Sequence, residues 1–160
     1  MFKVEASTLK EYFDWDLSRK PCLVFMDELI RQAAPDLKRW FYKGSAASEP
    51  GMRMKLIGYG SFVYSVKSGK TVKWPIIGLA LQKNYISVYL SVTKNNEPIL
   101  NDYRDQIGAL RYGGNNFSFS ESDQLDVPAL TRLFKDIART AQMDRNNALV
   151  YNRSSRDDRI

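Results

Sequence analysis

The apolar positions of this 160-residue chain change period twice, which divides it into two N-terminal helices, a sheet and a last helix. Leu9, Tyr12 and Phe13 recur at helical spacing, and Thr8 with Glu11 makes a capping box, so a short helix is predicted over 8–17. Ser18 to Pro21 interrupts the pattern and restarts it. Cys22, Phe25, Met26, Leu29 and Ala33 then mark the buried stripe of a second helix, with Cys22 a small buried hydrophobe. Pro35 ends or kinks that helix, and Asp36 is placed to cap a further turn carrying Trp40 and Phe41.

Beyond the loop 43–51 (KGSAASEPG) the period falls to two. Met54, Leu56, Phe62, Tyr64 and Val66 share one face; Arg53, Lys55, Tyr59, Ser61, Ser65 and Lys67 share the other, interrupted by Ile57 and Val63. Gly58 and Gly60 inside this run point to a bulge or a close backbone approach. Ser68-Gly69-Lys70 turns the chain into a second strand over 72–81, and Lys83-Asn84 into a third over 85–92. In the third, Ile86, Val88, Leu90 and Val92 face the core, while Tyr85, Ser87, Tyr89 and Ser91 face away. A helix is predicted over 98–107, ended by Gly108; a short strand follows at 117–119 and a last helix at 127–142 with Leu130, Leu133, Phe134 and Ile137 inward. The fold class is α+β: an antiparallel sheet, a three-strand meander plus a short later strand, packed with N- and C-terminal helices. One domain is expected over 1–142, followed by a polar, flexible tail over 143–160.

Composition narrows the chemistry. At 44% apolar and 26% charged the chain is globular, and the absence of histidine removes Ser-His-Asp triads, Cys-His dyads, HExxH zinc sites and any histidine base. A single cysteine excludes an internal disulfide and a multi-cysteine metal site, and with no apolar export signal it suits a reducing cytoplasm. The longest apolar run, Trp74 to Leu81, falls well short of the ~20 residues of a membrane helix. The net charge of +6 is concentrated. Residues 37–94 carry ten basic side chains against Glu49 alone, whereas residues 1–36 carry five against seven acids and residues 95–160 nine against ten. A local positive potential of this kind attracts an anionic small molecule or a nucleic acid, and it also decorates solvated sheet edges.

Three further patterns bear on chemistry. The Tyr-, Ser- and Lys-rich face of the meander resembles the way stacked rings beside cations hold nucleic acid, and equally the solvated side of an ordinary sheet. Gly108-x-x-Arg111-x-Gly113-Gly114 is read as a turn or as a phosphate nest with an arginine beside it. Asp14 with Asp16, Asp102 with Asp105, and Glu121 with Asp123 are close pairs without a cation-loop pattern.

The order of elements, with Ala34-Pro35-Asp36, Gly51-Met52, Tyr59-Gly60-Ser61-Phe62-Val63-Tyr64, Lys83-Asn84-Tyr85-Ile86, the strand at Asn116 to Ser120, and Leu125-Asp126-Val127-Pro128-Ala129-Leu130, resembles the YdhG-like family, domain of unknown function 1801, over residues 5–140. The resemblance implies an α+β domain with helices backing an antiparallel sheet, and, from members described as frataxin-like iron chaperones, carboxylate-rich iron sites. This chain departs from that picture. Tyr85 stands where the family often has a histidine, and the basic middle segment repels Fe²⁺. The leading reading is a small cytoplasmic, non-enzymatic binding or accessory domain without a cofactor or metal. Its anionic ligand would sit on the polar sheet face, with Arg53, Lys55 and Lys73 supplying charge and Tyr59, Trp74, Tyr85 and Tyr89 supplying stacking area. An iron chaperone, an enzyme using carboxylate or tyrosine acid–base groups, and a protein partner or homodimer are the alternatives.

Overall fold

A computed structural model describes residues 2–151. The Thr8 hydroxyl accepts the Glu11 N–H at 3.1 Å and caps α1, Leu9–Asp14. Pro21 sits in the first turn of α2, Lys20–Ala33, where its missing N–H costs nothing. The buried residues of α2 are Leu23, Met26, Asp27, Leu29, Ile30 and Ala33, so Met26, Leu29 and Ala33 of the expected stripe are inward. The stripe is rotated from the expected one, so that Phe25 is exposed and Cys22 half-buried. The rotation brings a carboxylate inward, and partners on the sheet make that tolerable.

The chain from 39 onward is strand, not a further helical turn. Trp40 and Phe41 belong to β1, Arg39–Tyr42, because a run of aromatic residues pairs well on a pleated surface. The strands of the meander follow as expected: β2, Leu56–Ser65; β3, Thr71–Leu81; and β4, Ile86–Leu90. The faces of β2 are reversed: the row of Ile57 and Tyr59 lies under α2, and Leu56 and Phe62 lie on the face of Trp40 and Tyr42. No α-helix forms over 98–107. Asn95 and Asn96 adopt φ of 56° and 64° and close a tight hairpin between β5, Thr93–Lys94, and β6, Glu97–Pro98, leaving one 3₁₀ turn at Ile99–Asp102. After β7, Arg111–Tyr112, the later strand β8, Asn116–Phe119, completes an antiparallel six-stranded sheet in the order β1-β2-β3-β4-β8-β7. The last long helix, α3, is Val127–Met143, capped by Asp126. The domain does not stop at 142. Residues 145–148 form α4, Ala148 is buried, Leu149 bridges Val92, and the Val150 N–H donates to the Ser91 carbonyl at 3.0 Å. The rest of the expected tail, 152–160, lies outside the described residues.

Register assigns the two faces of the sheet. Tyr59, hydrogen-bonded to Asp27 of α2, marks the helix-covered face, and its cross-strand partners Ile77 and then Leu90 share it. Ile57, Leu79, Val88 and Phe117 form the next row of that face. On the opposite face Trp40, Gly58, Gly78, Tyr89 and Asn116 are aligned across five strands. A Cβ on Gly58 would stand 2.8 Å from the Trp40 indole nitrogen, so glycine is what lets the ring lie flat on the sheet.

Tyr12 locks α1 to the sheet. Its buried hydroxyl accepts the Leu81 N–H at 2.8 Å and donates to the Lys55 carbonyl at 3.1 Å, and burial pushes its pKa up, so it stays protonated. Tyr12→Phe leaves the Leu81 N–H without its acceptor, with an expected loss of about 1–3 kcal/mol in urea unfolding at an unchanged m-value. A change below about 0.5 kcal/mol would show that the hydroxyl is dispensable.

Asp136 of α3 plays a similar part. It accepts from Tyr103 at 2.9 Å, Arg139 at 3.1 Å and Thr140 at 3.2 Å, with Lys94 at 3.5 Å. Burial alone would raise its pKa, but these donors and the Lys94 charge outweigh it and hold the carboxyl below its ordinary value. A depressed folded pKa stabilises the fold above the unfolded value and loses that stabilisation as pH falls through the folded one. Stability is therefore expected to decline below about pH 4, and less steeply in Asp136→Asn. Equal slopes in acid titrations of the two proteins would assign the decline to other groups.

Candidate functional site

The seven residues expected to share one polar face are divided by the fold. Tyr59 is fully buried beneath α2, with its hydroxyl 2.6 Å from Asp27, so it lies on the helix side and not on the polar side. Burial, then the Asp27 charge, raises its pKa and keeps it a donor. Trp74 is also buried, edge-on to Tyr42 and Tyr151 with centroids 5.2 Å from each, and fills a small aromatic core. Arg53 donates to the carbonyls of Ala47, Glu49 and Gly51 at 2.8, 3.2 and 3.1 Å and staples its own loop. The Lys55 ammonium donates to the Ala6 carbonyl at 2.7 Å and ties down the N-terminal segment. Lys73 is exposed with its ammonium 4.4 Å from the Trp40 ring centroid. Only Tyr85 and Tyr89 come together, and they do so in a cleft.

This cleft, of about 200 Å³, opens on the helix-free face where β4 meets β8 and β7. The alternation of β4 turns Ser87 and Tyr89 to this side. Pairing then sets Ser118 between Ser87 and Arg111, and Asn116 beside Tyr89. The Ser87 and Ser118 hydroxyls are buried and 2.7 Å apart. Gln82 donates to the Tyr89 hydroxyl at 3.1 Å, and Ser87 also hydrogen-bonds it. Burial raises the Tyr89 pKa despite these two bonds, so the phenol stays protonated at neutral pH and can donate a hydrogen bond to an acceptor in the cleft.

At the mouth the Arg111 guanidinium lies 5.1 Å from the Tyr85 ring centroid. Arg111 is exposed and makes no ion pair among the described residues. A second hollow of about 170 Å³ shares Tyr85, Arg111 and Ser118 and adds Asn84, Ser120 and Gln124. No carboxylate lines either hollow. The pair Tyr85–Arg111 thus stands between two polar hollows rich in donors and free of acids.

The glycine stretch before this cleft is not a nest of free amides. The Gly113 N–H donates to the Asn116 carbonyl at 2.9 Å, and the Gly113 and Gly114 carbonyls accept from Arg104 at 2.7 and 2.9 Å. The Gly113 amide of that motif is therefore already engaged, while Arg111 lines the cleft. Asp14 is held by Lys10 and Lys20, and Asp16 by Ser18 and Arg19; these bonds lower both pKa values. Among the described residues no group of three or more Cys, Asp or Glu is placed to hold a metal ion, and no helix is long and apolar enough to cross a membrane.

The alternation of Tyr85, Ser87 and Tyr89 is legible in the sequence, and Arg111 stands in a motif that singles it out. Gln82, Asn116 and Ser118 carry no such signal, since they reach the cleft only through strand pairing. Comparison of the chain with family models, curated proteins and solved structures gives no match. The YdhG-like resemblance therefore rests on element order and short segments alone.

Proposed function

We propose that this domain is a cytoplasmic, non-enzymatic binding protein whose ligand is a small anion held in the cleft between Tyr85, Tyr89 and Arg111. The observation that carries this reading is the Arg111 guanidinium, poised over Tyr85 without a carboxylate partner among the described residues, at the mouth of a cleft that none of their carboxylates lines. A cation there is satisfied only by solvent or by an incoming anion, and its planar fork suits a carboxylate or phosphate. Tyr89 and the Ser87–Ser118 pair supply hydroxyl donors at the floor, and Asn116 an amide. Size supports a small ligand over a polymer, because about 200 Å³ is below the usual range for drug-sized molecules. The anion excess of partners expected from the +6 charge reinforces the preference by steering anions toward the surface.

Calorimetric titration with inorganic phosphate, a nucleoside monophosphate, a dicarboxylate and short single-stranded RNA tests the reading at low and moderate salt. One of the small anions is expected to bind in a salt-sensitive way. Arg111→Ala should weaken that binding roughly 10- to 100-fold, the size of a lost charge-assisted contact, with little change in melting temperature because the side chain is exposed. Equal affinity of wild type and Arg111→Ala, or no binding of any small anion, would refute it.

A further inference from the structure

We propose that the free edge of β1, with the groove between it and α2, captures an extended acidic peptide as an added strand. The reading is independent of the cleft, which lies toward the other end of the sheet. β1 ends the strand order and pairs only with β2. The Gly60 N–H donates to the Lys38 carbonyl at 2.9 Å, so residues 38, 40 and 42 direct their backbone groups toward β2. By alternation, the N–H and C=O of Arg39 and of Phe41 point outward. No partner for these four groups occurs among the described residues. The opposite edge, β7, is only two residues long and is blunted by its shortness. β1 contains neither proline nor glycine, so a partner strand meets a regular edge.

Beside the start of β1 lies the groove, with a volume of about 730 Å³. α2 lines one side with Glu28, Arg31 and Gln32, and the chain entering β1 lines the other with Lys38 and Arg39. Three cations thus face one acid. Arg39 is occupied by Asp27 at 2.8 Å, whereas Arg31 reaches the same carboxylate oxygen only at 3.5 Å and its side chain is 52% exposed. Lys38 is exposed and forms no ion pair among the described residues. A groove between an edge strand and a helix is the geometry in which peptides add to sheets, with the main chain giving affinity and alternate side chains giving selectivity. Here the selecting groups are Arg31 and Lys38, which call for acidic side chains. The same charges argue against a second copy as the occupant, because pairing β1 with itself would crowd Lys38, Arg39 and Lys43 of both chains.

The test uses a capped, fluorescently labelled hexapeptide of alternating glutamate and valine, read by anisotropy at low salt, with amide protection of Arg39 and Phe41 followed by NMR. Saturable binding is expected, with both amide protons protected. The affinity should fall about tenfold or more when the edge-facing amides of the peptide are N-methylated. A similar fall is expected for the double variant Arg31→Glu, Lys38→Glu, whose fold is checked by circular dichroism. Arg111→Ala should bind the peptide as wild type does. Failure to saturate at millimolar peptide, indifference to N-methylation, or loss of binding in Arg111→Ala would each overturn the proposal, the last by moving the peptide to the cleft.

Discussion

Asp27 sits in the middle of the apolar stripe of α2, under the sheet, where a carboxylate is costly unless every lone pair finds a donor. One oxygen accepts from the Tyr59 hydroxyl at 2.6 Å, and the other from Arg39 at 2.8 Å with Arg31 at 3.5 Å. Tyr59 belongs to β2 and Arg39 to β1, so a single carboxylate joins the helix to two strands. A slip of one residue in β2 would turn Tyr59 outward and strand the charge. The pairing therefore decides which face of the sheet is covered, and the positions of Ile77, Leu79, Val88 and Phe117 under the helices follow from it through the register.

The same decision distributes the chemistry. With helices on one side, the opposite side receives Gly58, Gly78, Ser87 and Tyr89. Part of this side is closed by Trp40, Tyr42 and Trp74 packing edge to edge. What stays open lies over β4, β8 and β7, where hydroxyls, the amides of Gln82 and Asn116, and an Arg111 without an ion pair among the described residues gather. Most of the excess positive charge lies elsewhere, and several of its members are engaged. Arg53 and Lys55 bind backbone carbonyls, and Lys70 pairs with Glu49 at 3.3 Å. The net charge thus draws anions toward the molecule in general, while the local cleft selects among them.

Much of the architecture was legible because period reports burial. The two first helices, the meander and the last helix follow from spacing alone, and Thr8 caps as its pattern predicts. Failures occur where tertiary partners override local preference. Tyr59 looks polar-facing because it alternates with Leu56-side residues, yet Asp27, a distant residue in sequence, draws it inward. Trp40 and Phe41 could continue a helix by spacing but find β2 to pair with. The segment after Pro98 carries helical spacing, but the Asn95-Asn96 turn commits it to a hairpin first. In the cleft, Tyr85, Tyr89 and Arg111 were visible as residues, but their meeting depends on β8 inserting between β4 and β7, a long-range pairing that no local pattern records.

The most direct test of this account is a double-mutant cycle on Asp27→Asn and Tyr59→Phe, measured by urea unfolding. If the buried carboxylate and the phenol act as one unit joining helix to sheet, the coupling should be about 1.5–3 kcal/mol, as for a hydrogen bond to a charged group. Additivity of the two substitutions to within about 0.5 kcal/mol would contradict the account, since the helix would then be held on the sheet without the pairing that assigns its faces.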